Sequence, residues 1–212
     1  MRRGVWILAA MCLAAASAMA GRAEAQGVDT LVASQQCYAG RYAMCADAGD
    51  GYHEGWGVPV NRMMAVQYYQ FGCNNGDARS CRAMGYVYQH GDGVPQSYPE
   101  MLRYYTIACN GGFALACHDL GGIYWNGTGV PTSWTDAYRY YDRACTLSHA
   151  DACREAAYMH GRGVGVPRDY ARMGQYLQRA CALGNSTACT EARDPVGSAL
   201  ASERTAPLPP IR

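Results

Sequence analysis

The cysteines constrain this chain more than any other feature. Cys37, Cys45, Cys73, Cys81, Cys109, Cys117, Cys145, Cys153, Cys181 and Cys189 form five C-x7-C pairs. First members of successive pairs stand 36 residues apart, and so do second members. A register held four times without slippage is the mark of a stacked repeat, in which each unit buries its apolar face against its neighbours.

Other residues keep the same period. Gly40, Gly76, Gly112 and Gly184 share one position, with Ser148 as the exception. Gly55, Gly91, Gly127 and Gly163 share another, and each is followed by a Gly-Val-Pro (Gly57-Val58-Pro59, Gly93-Val94-Pro95, Gly129-Val130-Pro131, Gly165-Val166-Pro167). Two residues past each proline stands Asn61, Ser97, Ser133 or Asp169, side chains that accept from the first free N–H groups of a helix. Ser97 with Glu100 makes a capping box. Each such stretch therefore ends one helix, A, and starts the next, B. Helix A begins about five residues after the first cysteine of a pair, and helix B runs from the cap to the next glycine.

Helix A carries its buried stripe at i, i+3, i+4 and i+7. In successive repeats this is Cys45, Ala48, Gly49, Tyr52; Cys81, Met84, Gly85, Tyr88; Cys117, Leu120, Gly121, Tyr124; and Cys153, Ala156, Ala157, His160. The small residue lets a neighbouring helix approach. Helix B answers with Ala65, Tyr68, Tyr69, Gly72; Met101, Tyr104, Tyr105, Ala108; Ala137, Tyr140, Tyr141, Ala144; and Met173, Tyr176, Leu177, Ala180. The chain has 17 Tyr and only 2 Phe, so Tyr supplies the aromatic packing. The fold class is all-α, a solenoid of helix-turn-helix repeats.

A cysteine at the end of helix B and the next one in the first turns of helix A are joined by a short loop. Equivalent cysteines lie a whole repeat apart, and even adjacent helix axes are about 8–10 Å apart, beyond disulfide reach. The pairing expected is Cys37–Cys45, Cys73–Cys81, Cys109–Cys117, Cys145–Cys153 and Cys181–Cys189. The x7 spacing does not match the short knuckles of structural zinc. A haem attachment motif is absent too: His118 follows Cys117, but Ala114 stands where the other cysteine would be.

Arg2 and Arg3 open the chain, an apolar run from Val5 to about Ala16 follows, and small residues offer cleavage after Ala20 or Ala25. Residues 1–25 have the layout of a secretory signal peptide, too short in its apolar part to span a membrane. Cys12 would leave with it. Export suits disulfides, and the expected location is secreted or periplasmic in a bacterium. The repeats occupy 26–194, in the register 37–72, 73–108, 109–144 and 145–180 with a partial repeat at 181–194. Residues 195–212, rich in Ala, Ser and Pro, read as a flexible tail. Cleavage after Ala25 removes three Arg and one Glu, leaving 15 Arg against 16 acids. With no basic block, nucleic acid is not an expected partner.

The helix pair with Ala65-x-x-Tyr68-Tyr69 or Ala137-x-x-Tyr140-Tyr141 in helix B, the G-x-G-V-P loop and the C-x7-C staple resembles the Sel1-like repeat. In particular it resembles the cysteine-rich secreted branch known from Helicobacter. The resemblance covers about 37–194. It implies a right-handed α-solenoid related to tetratricopeptide repeats. It also implies two activities: protein binding on the concave face, and binding of β-lactams or cell-wall fragments with slow β-lactam hydrolysis.

The residues favour binding over catalysis. Serine β-lactamases use S-x-x-K and K-T-G, and this chain has no Lys. His53, His90, His118, His149 and His160 are isolated in sequence, so neither a metal nor another cofactor is expected. Most are expected at the surface, with His160 replacing a core Tyr. Opposite the buried stripe, helix A presents a second face: Ala46, Asp50, His53, Glu54; Arg82, Tyr86, Gln89, His90; His118, Gly122, Trp125, Asn126; and Arg154, Tyr158, Gly161, Arg162. Arg, Tyr and Trp are the types that dominate binding hot spots. The candidate site is Arg82, Tyr86, Gln89, His90, His118, Trp125, Asn126, Arg154, Tyr158 and Arg162. The expected partner is an extended peptide or protein segment with some acidic character. Trp56 and Trp134 are expected in loops.

Overall fold

The computed structural model describes residues 29–197, 199 and 200; the expected signal peptide and residues 201–212 lie outside them. Ten named helices occur, and no strand is found among the described residues. The chain divides between Gln96 and Ser97 into two units.

The first unit holds α1 (Thr30–Tyr38), α2 (Ala43–Glu54), α3 (Arg62–Asn74) and α4 (Ala78–His90). The second holds α5 (Tyr98–Asn110), α6 (Ala114–Asn126), α7 (Trp134–Thr146), α8 (Ala150–Arg162), α9 (Tyr170–Ala182) and the short α10 (Ser186–Glu191). Within each unit consecutive helices pack together, and in the first unit α2 also reaches α4. This is the all-α, disulfide-linked helix-pair repeat of the α-solenoid class.

The caps behave as their chemistry requires. The side chains of Asn61, Ser97, Ser133 and Asp169 accept from the N–H groups of Met64, Glu100, Asp136 and Arg172. In the expected capping box the Glu100 carboxylate accepts from the Arg103 guanidinium. The A helices have caps of their own that the sequence pattern did not announce: Asp77 and Asn185 in the usual way, and His149 through its ring nitrogen Nδ1, which accepts from Ala152 N–H. All five disulfides join the cysteines expected, with Cα atoms 4.5–4.8 Å apart. Each staples the end of a B helix to the start of the next A helix.

Gly40, Gly76, Gly112 and Gly184 have positive φ, and so does Ser148, at 68°. Ser148 is the one non-glycine residue in that region among those described. The odd residue of the sequence pattern is thus the place where a side chain sits in a conformation that suits glycine.

Two rules of packing recur. The A-helix aromatic stacks on a B-helix Tyr 16 residues later: Tyr52 on Tyr68 at 5.4 Å, Tyr124 on Tyr140 at 5.4 Å, and His160 on Tyr176 at 5.6 Å. The A-helix glycine receives a B-helix Tyr 20 residues later. A Cβ on Gly49 would lie 2.2 Å from the Tyr69 ring, and one on Gly121 would lie 2.5 Å from Tyr141. Where the fourth repeat has Ala157, the partner position holds Leu177 in place of Tyr. The apolar clusters continue these contacts, around Ala48 and Tyr68 in the first unit and around Ala157 and Leu177 in the second. Residues 195–197, 199 and 200, within the stretch read as a tail, are helical, and Ala199 joins the second cluster.

Candidate functional site

In the first unit, α2 and α4 run side by side and present Asp50, His53 and Glu54 beside Arg82 and Tyr86. With Tyr69, Ala83 and Val87 these line a cleft of about 180 Å³. Tyr86 is 43% exposed. The His90 ring lies 4.1 Å from the Tyr86 ring, and His90 Nδ1 is 2.9 Å from the Tyr86 carbonyl. The Gln89 carbonyl accepts from Gln96.

The acidic wall of this cleft is held in place from behind. Asp50 accepts from the Tyr69 hydroxyl at 2.7 Å, and its other oxygen from Arg79 at 2.5 Å. Arg79 also bridges to Asp47. Burial first, then the Asp50 charge, raises the Tyr69 pKa far above the phenol range, so Tyr69 remains a donor. His53 stands between two carboxylates, with Nδ1 2.7 Å from Glu54 and Nε2 2.5 Å from Asp92. Arg62 pairs with the second oxygen of Asp92. Burial alone would lower the His53 pKa. The hydrogen bonds to Asp92 and Glu54, and their charges, outweigh it and raise the value above that of a free imidazole.

In the second unit, Trp125 on α6 packs edge-on against Tyr158 of α8 at 6.1 Å and lies tilted against Trp134 at 6.2 Å. Trp134 is the first residue of α7 rather than part of a loop. The Tyr158 hydroxyl accepts from Arg162 at 2.8 Å, and the same guanidinium lies over the Tyr158 ring. Arg154 is fully engaged by Glu191, which accepts from Nε and an NH2 group at 2.9 and 2.7 Å. His118 stacks on His149 at 4.7 Å. Asn126 ends α6 and is exposed. Against the expectation of surface histidines, His53, His118 and His149 are half-buried, because each packs between neighbouring helices or caps one. His160 takes the core Tyr position and is buried.

Of the ten candidate residues, Arg82 and Tyr86 line one cleft and Trp125, Tyr158 and Arg162 form one aromatic–cationic patch. Sequence reasoning passed over Asp92, Arg62 and Glu191 as partners. The 39 residues between His53 and Asp92 and the 37 between Arg154 and Glu191 exceed one repeat, so these pairs reach into the next one. Among the described residues no group of three or more His, Cys, Asp and Glu could hold a metal ion, and no helix is long and apolar enough to cross a membrane.

The family model of the Sel1 repeat matches four times, at residues 41–77, 78–113, 114–149 and 150–185. Among solved structures the chain is similar to c5321, a protective antigen of uropathogenic Escherichia coli displaying an SLR fold (25% identity, TM-score 0.70, covering 85% of this chain and 38% of that one). It is also similar to a Sel1 repeat protein from Oxalobacter formigenes (24% identity, TM-score 0.70, 77% and 48%). A third is Helicobacter pylori cysteine rich protein B (26% identity, TM-score 0.51, 62% and 94%). The chain spans less than half the length of the first two. No curated protein is similar enough in sequence to count as a match.

Proposed function

The chain belongs to the Sel1 repeat family, and on that premise we propose that it is an exported scaffold that holds an extended segment of a partner protein against the exposed faces of its A helices. The observation that carries this reading is the α2–α4 cleft, in which an aromatic side chain left 43% exposed stands beside Arg82 and Glu54. An exposed Tyr ring among fixed donors and acceptors offers contact area at little entropic cost, and polar groups to set the register of a bound backbone. In the second unit Trp125, Tyr158 and Arg162 supply a similar patch.

The charges modify the partner expected. Arg154 is already neutralised by Glu191, and the first cleft carries carboxylates as well as Arg82. A segment bearing both signs fits these surfaces better than an acidic one. Five disulfides suit an oxidising compartment, so the partner is sought in the bacterial periplasm or outside the cell.

The test is selection of displayed peptides on the oxidised protein, followed by calorimetry of the enriched sequences on wild type, R82A/Y86A and W125A. Enriched peptides should lose at least about tenfold in affinity on one of these variants, the equivalent of about 1.4 kcal/mol. Failure to enrich any sequence, or equal affinity for every variant, would overturn the proposal.

A further inference from the structure

A second cleft, of about 210 Å³, lies between the B helices α7 and α9 of the second unit, away from the A-helix faces. It is lined by Asp142, Arg172, Gln175, Tyr176 and Arg179. Three residues of α9 face it with donors. Arg172 and Arg179 are seven residues apart, about 10 Å along the axis, with Gln175 between them. Asp142 of α7 supplies the acceptor.

These groups do not close on one another. One Asp142 oxygen accepts from the Tyr176 hydroxyl at 2.5 Å. Tyr176 is 3.1 Å from the Tyr138 hydroxyl, which is 3.1 Å from His160 Nε2. Tyr176 spends its proton on the carboxylate, so towards Tyr138 it can only accept. The buried His160 ends a row of polar groups that leads to the Asp142 carboxylate. Arg172 pairs with Asp169, at 3.6 Å, and Arg179 donates to the Thr146 carbonyl. Among the described residues neither guanidinium forms an ion pair with Asp142, and the Gln175 side-chain amide makes no hydrogen bond. One carboxylate and two guanidinium groups thus line one small cleft without pairing with one another.

The repeat pattern does not call for this set. The equivalents of Arg172 and Arg179 one repeat earlier are Asp136 and Arg143, and two repeats earlier Glu100 and Ile107. Tyr138 and His160 likewise replace Leu102 and Tyr124.

We propose that this cleft binds a small amino-carboxylate. The carboxylate of the ligand is held by Arg172, Arg179 and the Gln175 amide, in the forked geometry that guanidinium groups offer an oxyanion. Its ammonium donates to the Asp142 oxygen that Tyr176 leaves open. A ligand of this class joins all the charges of the cleft; a simple anion would face Asp142, and a simple cation would face the two arginines.

The test is a titration of the oxidised full chain with alanine, acetate and ethylammonium, read from the side-chain NMR resonances of Arg172, Gln175 and Arg179. Alanine should saturate in the low millimolar range, and acetate and ethylammonium should bind about tenfold more weakly or worse. R172A/R179A should abolish the response. D142N, which keeps an acceptor for Tyr176, should reduce alanine to the affinity of acetate. R82A/Y86A, in the other unit, should leave it unchanged, so this site and the peptide surface fail or stand separately. The dipeptide alanylalanine separates two sources of the same chemistry: stronger binding than alanine marks a peptide end, weaker binding a free amino acid. The proposal is overturned if alanine gives no saturable shift, if acetate binds as tightly as alanine, or if the arginine variant binds like wild type.

Discussion

The contact between Gly121 and Tyr141 lends itself to a substitution whose sign is informative. In an exposed helix interior Gly→Ala stabilises, by about 1 kcal/mol. Here a Cβ on Gly121 would sit 2.5 Å from two carbons of the Tyr141 ring and 2.9 Å from a third. Tyr141 is only 6% exposed, so the ring must retreat by about 1 Å into packed surroundings, and overpacking of that kind costs about 1–3 kcal/mol. G121A should therefore lose up to about 2 kcal/mol in urea unfolding once the gain in propensity is subtracted, in place of gaining about 1 kcal/mol. Y141L alone leaves a gap over the glycine and should lose about 1–3 kcal/mol. The double variant recreates Ala157 with Leu177, both fully buried in the fourth repeat. It should be more stable than the sum of the singles by at least about 1 kcal/mol. If G121A gains the full propensity of about 1 kcal/mol, or if the effects of the two substitutions simply add, the ring does not depend on the missing Cβ and the packing rule is wrong.

Ser148 is held at a φ of 68°. S148G should remove a strain of about 1–2 kcal/mol and give back part of it to the unfolded chain, a net gain of about 0.5–1 kcal/mol in urea unfolding. Replacing Cys109 and Cys117 by Ser opens a loop of eight residues and should lower stability by about 2.5 kcal/mol in the chain-entropy model; an unchanged midpoint would deny the staple any role. The raised His53 pKa means that the stability contributed by its carboxylate partners is fully present below the ordinary imidazole value and is lost as pH rises through the higher folded value. Wild type, but not H53Q, should therefore lose stability across that window above about pH 6.5, and parallel pH curves for the two would refute it. A chain without Lys lacks the base of S-x-x-K enzymes; oxidised protein should show no hydrolysis of a chromogenic β-lactam above buffer, and multiple turnovers would require a site of another kind.

What repeats is legible in the sequence, because a period turns one weak signal into four or five concordant ones. The disulfide partners, the caps at Asn61, Ser97, Ser133 and Asp169, and the glycines after each helix could be read because each recurs at a fixed offset. The site was read less well for the same reason. Position on the helix-A face identifies Tyr86 and Trp125 as exposed or half-exposed, but it does not say which charges are already engaged. Arg154 looked available because its partner Glu191 lies on α10, 37 residues away in the last and incomplete repeat. Trp134 reads as a loop residue because it follows the Gly-Val-Pro loop so closely, yet with Ser133 as the cap it is the first residue of α7.

The departures from the period are then the most informative residues. A solenoid position that keeps its residue type is answering a packing demand common to every repeat, and the stack of Tyr52 on Tyr68 or Tyr124 on Tyr140 is such a demand. When His160 replaces the aromatic in the next repeat, the stack on Tyr176 survives, but the new ring nitrogen acquires Tyr138 as a partner. Through Tyr176 that hydrogen bond reaches Asp142. A substitution that packing alone would not require has converted a core contact into a polar chain ending at a surface cleft. Histidine and a second tyrosine are costly ways to fill a core, since each buried polar atom needs a partner. That His160 Nε2 and the two tyrosine hydroxyls find partners in one another, and that the chain leads to the carboxylate lining the cleft with Arg172 and Arg179, makes this repeat the place where the scaffold departs from structural necessity.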